Sequence, residues 1–159
     1  MDSHTITVNV NEDAQPLTRR PMRQLKINRG MLKFILLSFI TFGIYAIVVY
    51  SHLSDEINLV ASPRDGKKTM HFCLLFFLIG PLTFGIAYLV WFHRICGRIG
   101  DELTARGISY SFGSGSYWLW NILGCLIIIG PFVFLHKLFK AMNLMNADYN
   151  ARGSMTVYM

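Results

Sequence analysis

Polar and apolar positions along this chain separate into long blocks. No Asp, Glu, Lys or Arg lies between Lys33 and Asp55, between Lys68 and Arg94, or between Arg106 and Lys137. Each gap encloses an apolar run of about 20 residues, enough for a helix to cross a ~30 Å hydrocarbon core. None of the runs has the polar face of a surface helix in a soluble bundle. The pattern predicts an all-α integral membrane protein of three repeated apolar helical units.

The units repeat in sequence. "FITFGIYAIVVY" at 39–50 returns as "PLTFGIAYLVWF" at 81–92. Aligning Gly43 with Gly85 brings Leu53 onto Ile95 and Ile57 onto Ile99. From its C-terminal side the third run fits the same frame, Leu138, Met142 and Asn143 matching Leu53, Ile57 and Asn58, a period of about 42–43 residues. Near its middle, each unit carries a helix-disturbing element. These are Thr41-x-Gly43, then Gly80-Pro81-x-Thr83-x-Gly85, then Gly130-Pro131. Proline removes a backbone donor, glycine weakens a helix and admits a neighbouring backbone, and a Thr hydroxyl bonds a carbonyl one turn back. The element predicts a kink in a span, with a full re-entrant reversal as the competing topology.

Beyond each break the runs end in amphipathic juxtamembrane helical extensions. Their stripes are Leu53, Ile57 and Val60; Ile95, Ile99 and Leu103; and Leu135, Leu138, Met142 and Met145. Such stripes lie along an interface or pack on one another. "ASPRDGK" and "GISYSFGSGS" read as linkers. The resulting division is a disordered tail over 1–16, a basic juxtamembrane segment over 17–30, a membrane domain over 31–149 with repeats at 31–60, 68–106 and 116–149, and a tail over 150–159.

Composition agrees with the pattern. Of 159 residues, 53% are hydrophobic and 15% charged, and mean hydropathy is +0.40. The net charge of +6 is concentrated in Arg19, Arg20, Arg23, Lys26, Arg29 and Lys33, a stretch with no acid. Directly before an apolar run, these cations read as an anchor for anionic lipid headgroups with a cytoplasmic N-terminus, rather than as a nucleic-acid site. No cleavage site follows the first run, so it reads as a retained segment and not as a signal peptide. Cys73, Cys96 and Cys125 are isolated and form no disulfide or zinc pattern.

The residues "LSFITFGIYAIVVYSHLSDEINLV" resemble a bacterial membrane family catalogued as domain of unknown function 4234. The matching positions are Leu37, Ser38, Ile40, Thr41, Gly43, Ile44, Tyr45, Leu53, Ile57 and Asn58. A second copy keeps Thr83, Gly85, Ile86, Trp91 and Ile99, but has Ala87 for the signature Tyr and Gly100 for the exit Asn. The resemblance, over about residues 31–149, implies a multi-pass protein of the bacterial cytoplasmic membrane and brings no catalytic residue with it.

Candidate chemistry is sparse. His93 and His136 align with Ser51, next to His52, and His71 opens the second run. A histidine ring could bind metal or sense pH, but no ligand motif accompanies it, and placement at a membrane boundary explains these residues. Tyr45, Tyr50, Tyr88, Trp91, Tyr117, Trp118 and Trp120 read as interfacial aromatics rather than a cation cage. Asp55-Glu56 and Asp101-Glu102 are adjacent pairs that diverge on a helix, and read as solvated faces. No phosphate loop, nucleophile elbow or intramembrane charge appears. The expectation is a non-enzymatic small multi-pass protein without cofactor, acting as an interaction or membrane-organising subunit. Its partners would be the bilayer and a homo-oligomer or membrane protein. The alternative is a transporter or channel subunit whose broken helices line a polar path.

Overall fold

A computed structural model describes residues 20–155. Arg19 and the tail over 1–16 lie outside the described residues, as does 156–159. The described chain forms six helices arranged as three hairpins. The first hairpin pairs α1 (Met31–Ile40) with α2 (Ile44–Asp65). In the second, α3 (72–82) pairs with α4 (Ile86–Ala105), and in the third α5 (114–127) pairs with α6 (Gly130–Arg152). Phe34 of α1 packs against both Tyr45 and Tyr50 of α2, with ring centroids at 6.2 and 5.6 Å, so the arms are antiparallel.

This corrects the expectation of multi-pass spans. The chain reverses at the middle of each apolar run, so about 20 apolar residues are divided between two arms. Helix α1 has 10 residues, or about 15 Å, which is half the thickness of a hydrocarbon core. The longer return helices are apolar only in their first half. No helix among the described residues is long and apolar enough to cross a membrane.

The amphipathic extensions pack on one another. Leu53, Ile57, Val60, Ile95, Ile99, Leu103, Leu138, Met142 and Met145 are all buried, and only Leu135 of the sequence-derived stripes is half-exposed. They form the centre of a three-helix base. Above it runs an aromatic layer through all three hairpins. Phe139 meets Phe34, Phe34 meets Tyr50, and Tyr50 meets Phe72 at 5.0–5.6 Å between centroids. Phe72 meets Trp91, which leads through Phe92 to Tyr117 and Phe134, at 4.9–5.6 Å. Beyond this layer the paired arms carry almost purely apolar side chains to the tips.

In the second and third units the Gly-Pro pairs lie beside the reversals, not at them. Gly80-Pro81 sits in the last turn of α3, and the reversal comes after it. Pro81 lacks the N–H that would bond Phe77, and a wide turn over Leu75–Ile79 absorbs the defect. Tyr88 packs on Gly80, where any side chain would overlap its ring. Pro131 occupies the first turn of α6, where its missing donor costs nothing. The third reversal lies just before it, at Ile128, and Gly124 and Gly130 allow the arms to cross backbone against backbone.

Candidate functional site

The two Thr-Phe-Gly turns have the same geometry. Thr41 Oγ1 donates to the Leu37 carbonyl at 2.7 Å and accepts the Tyr45 N–H at 3.0 Å, tying the end of one arm to the start of the next. Thr83 repeats this with Ile79 at 2.8 Å and Ala87 at 3.2 Å. The Gly43 N–H reaches the Ser38 carbonyl at 2.7 Å and the Phe42 N–H reaches Phe39 at 3.2 Å, a left-handed helix stop. Gly43 and Gly85 have φ of 88° and 89°, and a Cβ at either would meet nothing within 4 Å. They serve the backbone reversal, and among the described residues no other part of the chain comes up to either.

In such a stop the first left-handed residue is usually glycine. Here it is Phe42 at φ 51° and Phe84 at φ 49°, and the third tip has Ile128 at φ 61°. Left-handed backbone costs a side-chain-bearing residue about 1–2 kcal/mol, and a β-branched residue is a rarer occupant still. These side chains earn no packing in return, being 98%, 97% and 77% exposed. All three tips thus hold a large apolar side chain in strained backbone, aimed away from the fold. Phe39, Leu82, Leu126 and Ile127 extend the same exposed apolar cap. Monomeric soluble proteins rarely expose a contiguous apolar patch beyond a few hundred Å².

At the opposite end the units are joined in a ring by their exits. Asn58 of the first unit accepts the Thr69 N–H at 2.6 Å and donates to the Thr69 carbonyl at 2.8 Å, clamping the approach to the second. Asn143 of the third does the same to Arg29, at 3.1 and 2.9 Å, clamping the approach to the first. The second exit has Gly100, and any side chain there would overlap the Phe112 carbonyl on the approach to the third unit. The departure from the family signature at Gly100 therefore has a steric reason.

Asn146 and Asn150 continue the clamp on α6. Asn150 holds both backbone groups of Leu25 at 2.8 Å, and Asn146 donates to the Lys26 carbonyl at 2.8 Å. The segment over 22–29 is thereby laid along α6. Asn143→Ala with Asn150→Ala removes four hydrogen bonds, each with a net value of about 1 kcal/mol. Limited trypsin digestion should then cut at Lys26 and Arg29 at least tenfold faster than in the parent.

Of the cations assigned to headgroups, Arg20, Arg23, Lys26 and Lys33 are exposed at this end. Arg29 is committed elsewhere, since its guanidinium bonds both Glu56 oxygens, at 2.8 and 2.5 Å. Asp55-Glu56 and Asp101-Glu102 likewise split, with Glu56 and Glu102 buried and paired and the other two exposed. Arg98 binds Asp65 through Nε at 2.8 Å and Nη2 at 3.0 Å. Burial opposes the Asp65 charge, but its bonds to Arg98 and the Lys67 N–H, with the nearby Arg64, outweigh that and hold its carboxyl below the ordinary 3.8. Its stabilisation is complete above that value and is lost as pH falls through the lower native value. Unfolding of Asp65→Asn and parent should therefore differ by a constant amount above about pH 5 and converge as pH falls below the ordinary carboxyl value.

The histidines do not converge. His71 Nε2 lies 3.6 Å from Asp55, and His93 Nδ1 accepts the Trp118 indole N–H at 3.0 Å. Among the described residues no three His, Cys, Asp or Glu side chains gather as a metal site. The interfacial aromatics serve partly as core: Tyr50, Trp91 and Tyr117 belong to the layer above the base.

Neither a curated protein nor a solved structure matches this chain. A family match covers residues 29–101, from the clamped Arg29 through the first two hairpins. Over those residues, less than half of the chain, the sequence is similar to the family described as a domain of unknown function, DUF4234, the one its repeated signature resembles.

Proposed function

We propose that this protein is a non-enzymatic membrane-organising subunit that inserts three apolar hairpins into one leaflet and returns each to the side it entered. The observation that carries this reading is the trio Phe42, Phe84 and Ile128, exposed at the tips in backbone that disfavours them. Such strain persists where the side chain is needed outside the fold. A bilayer supplies the missing contact at about 25 cal/mol per Å² of apolar surface buried. Arm length fits too: about 15 Å reaches the middle of a ~30 Å core without leaving it. The Thr hydroxyls and the left-handed stops satisfy the turn backbone that hydrocarbon cannot solvate.

The ring of clamped approaches then sits at the headgroup level, where Arg20, Arg23, Lys26 and Lys33 meet anionic lipid. The cytoplasmic face is the side that such cations favour. The transport alternative finds less support, because Leu53, Ile57, Ile95, Ile99, Leu138 and Met142 fill the axis that a polar path would need.

Vesicle flotation tests the reading. The purified chain, diluted from detergent, should float with phosphatidylglycerol-containing vesicles and stay with them through alkaline carbonate, which strips surface-adsorbed proteins. A chain left at the bottom of the gradient, or released by carbonate, would contradict insertion.

A further inference from the structure

A groove of about 990 Å³ runs along the second hairpin. Its character changes along its length. Toward the base it is rimmed by Lys67, Lys68 and Arg94, and toward the tip by Val90 and Ile86, with Leu75 also in the wall. Arg94 and Ile86 are eight residues apart on α4, or about 12 Å. Cationic at one end and apolar at the other, the groove has the polarity of a single phospholipid standing in a leaflet.

The cationic end is a fixed structure. The Lys67 carbonyl accepts Arg98 Nη2 at 2.9 Å and the Ser62 hydroxyl at 2.5 Å, while its N–H donates to Asp65 at 2.9 Å. Backbone bonds thus hold the loop and leave its lysine side chains free. Lys67, Lys68 and Arg94 form no ion pair among the described residues. Asp101 is the one acid lining the groove, and Arg98 is spent on Asp65. Three cations, Lys67, Lys68 and Arg94, thus stand against the single carboxylate of Asp101, leaving a surplus of positive charge at this end. The smaller cavity beside Arg29 and Lys140, about 400 Å³, differs in that its arginine is already paired with Glu56.

We propose that this groove binds one anionic diacyl phospholipid, its phosphate between Lys67, Lys68 and Arg94 and an acyl chain along Val90 and Ile86. The inference rests on the reading that the hairpins meet a bilayer, but it assigns a stoichiometric site that insertion alone does not require. Bulk lipid would wet the hairpins whatever its headgroup, whereas a site selects by charge and fills at one per chain.

Native mass spectrometry of the full chain in detergent tests this without a bilayer. With phosphatidylglycerol and phosphatidylcholine added in equal amounts, the parent should retain one phosphatidylglycerol in at least tenfold preference. The triple variant Lys67→Glu, Lys68→Glu, Arg94→Glu should lose that preference yet still float with vesicles, since the tips are intact. Val90→Trp, which fills the apolar end, should lose the bound lipid of either kind. Equal retention of both lipids by the parent, or an unchanged preference in the triple variant, would overturn the site. Lipid retention in detergent by a chain that fails to float would instead keep the groove and refute insertion.

Discussion

Phe42→Gly and Phe84→Gly are expected to stabilise the fold while weakening its hold on a bilayer. Each removes a side chain from left-handed backbone, a gain of about 1–2 kcal/mol, offset by about 0.4–1 kcal/mol for the freer unfolded chain. The net is a gain of about 0.5–1 kcal/mol per site, because neither ring loses a contact within the protein. Bilayer binding moves the other way. Burying a Phe side chain contributes about 1.5–3 kcal/mol, and ~1.4 kcal/mol is tenfold in an equilibrium constant. The double variant should therefore partition into vesicles at least a hundredfold more weakly. Phe→Leu at both sites, which keeps the strain and most of the apolar area, should change both properties little. Unfolding in detergent and vesicle titration read the two effects separately. A destabilised double variant would mean the rings pack within the protein. Undiminished partitioning would mean the tips do not enter lipid.

Glu102→Leu is expected to cause the largest loss of stability. Glu102 is fully buried in the base, accepting Arg64 Nε at 2.7 Å and Arg106 Nε at 2.8 Å. Arg106, itself buried, also bonds Asp148 at 2.6 Å and the Gly153 carbonyl at 3.1 Å. One network thus ties α2, α4 and α6, a helix from every hairpin. Removing the carboxylate leaves a buried guanidinium short of a partner, which costs about 3–5 kcal/mol. Replacing the pair together, as Glu102→Leu with Arg106→Met, should recover most of that loss, because apolar substitutes for a buried pair are often nearly neutral. Denaturant unfolding of parent, single and double variants decides it. A single variant within 1 kcal/mol of the parent would show that the aromatic layer and the apolar axis hold the base unaided.

The parts of this structure legible in the sequence are those set by local periodicity. The repeat, the stripes at Leu53, Ile95 and Leu138, and the polar exits follow from residue spacing. The reversal did not, because a kink and a turn at Thr-x-Gly use the same residue types and differ in the φ of two residues. The residue that separates them is the middle one, Phe42 and Phe84, an identical aromatic before each glycine whose positive φ has no signature in local spacing. The roles of Arg29 and Glu102 are hidden for another reason. Arg29 pairs with Glu56 and Glu102 with Arg64 across 27 and 38 residues, and ion pairs at such distances leave no mark in local pattern; only the Glu102–Arg106 pair, one helical turn apart, follows from spacing. The ring was half-visible, since Asn58 and Asn143 stood out as a pair and Gly100 as an exception. What each asparagine clamps could be learned only from where the next unit begins.

Sidedness of labelling separates hairpins that return from helices that span. In a chain with Cys73, Cys96 and Cys125 replaced by alanine, single cysteines at Phe42, Phe84, Gly66 and Gly107 can be probed in sealed vesicles with an impermeant maleimide. Gly66 and Gly107 should label from the same side, and Phe42 and Phe84 from neither until detergent is added. Labelling of Gly66 and Gly107 from opposite sides, or of Phe42 and Phe84 from the aqueous phase in intact vesicles, would contradict returning hairpins.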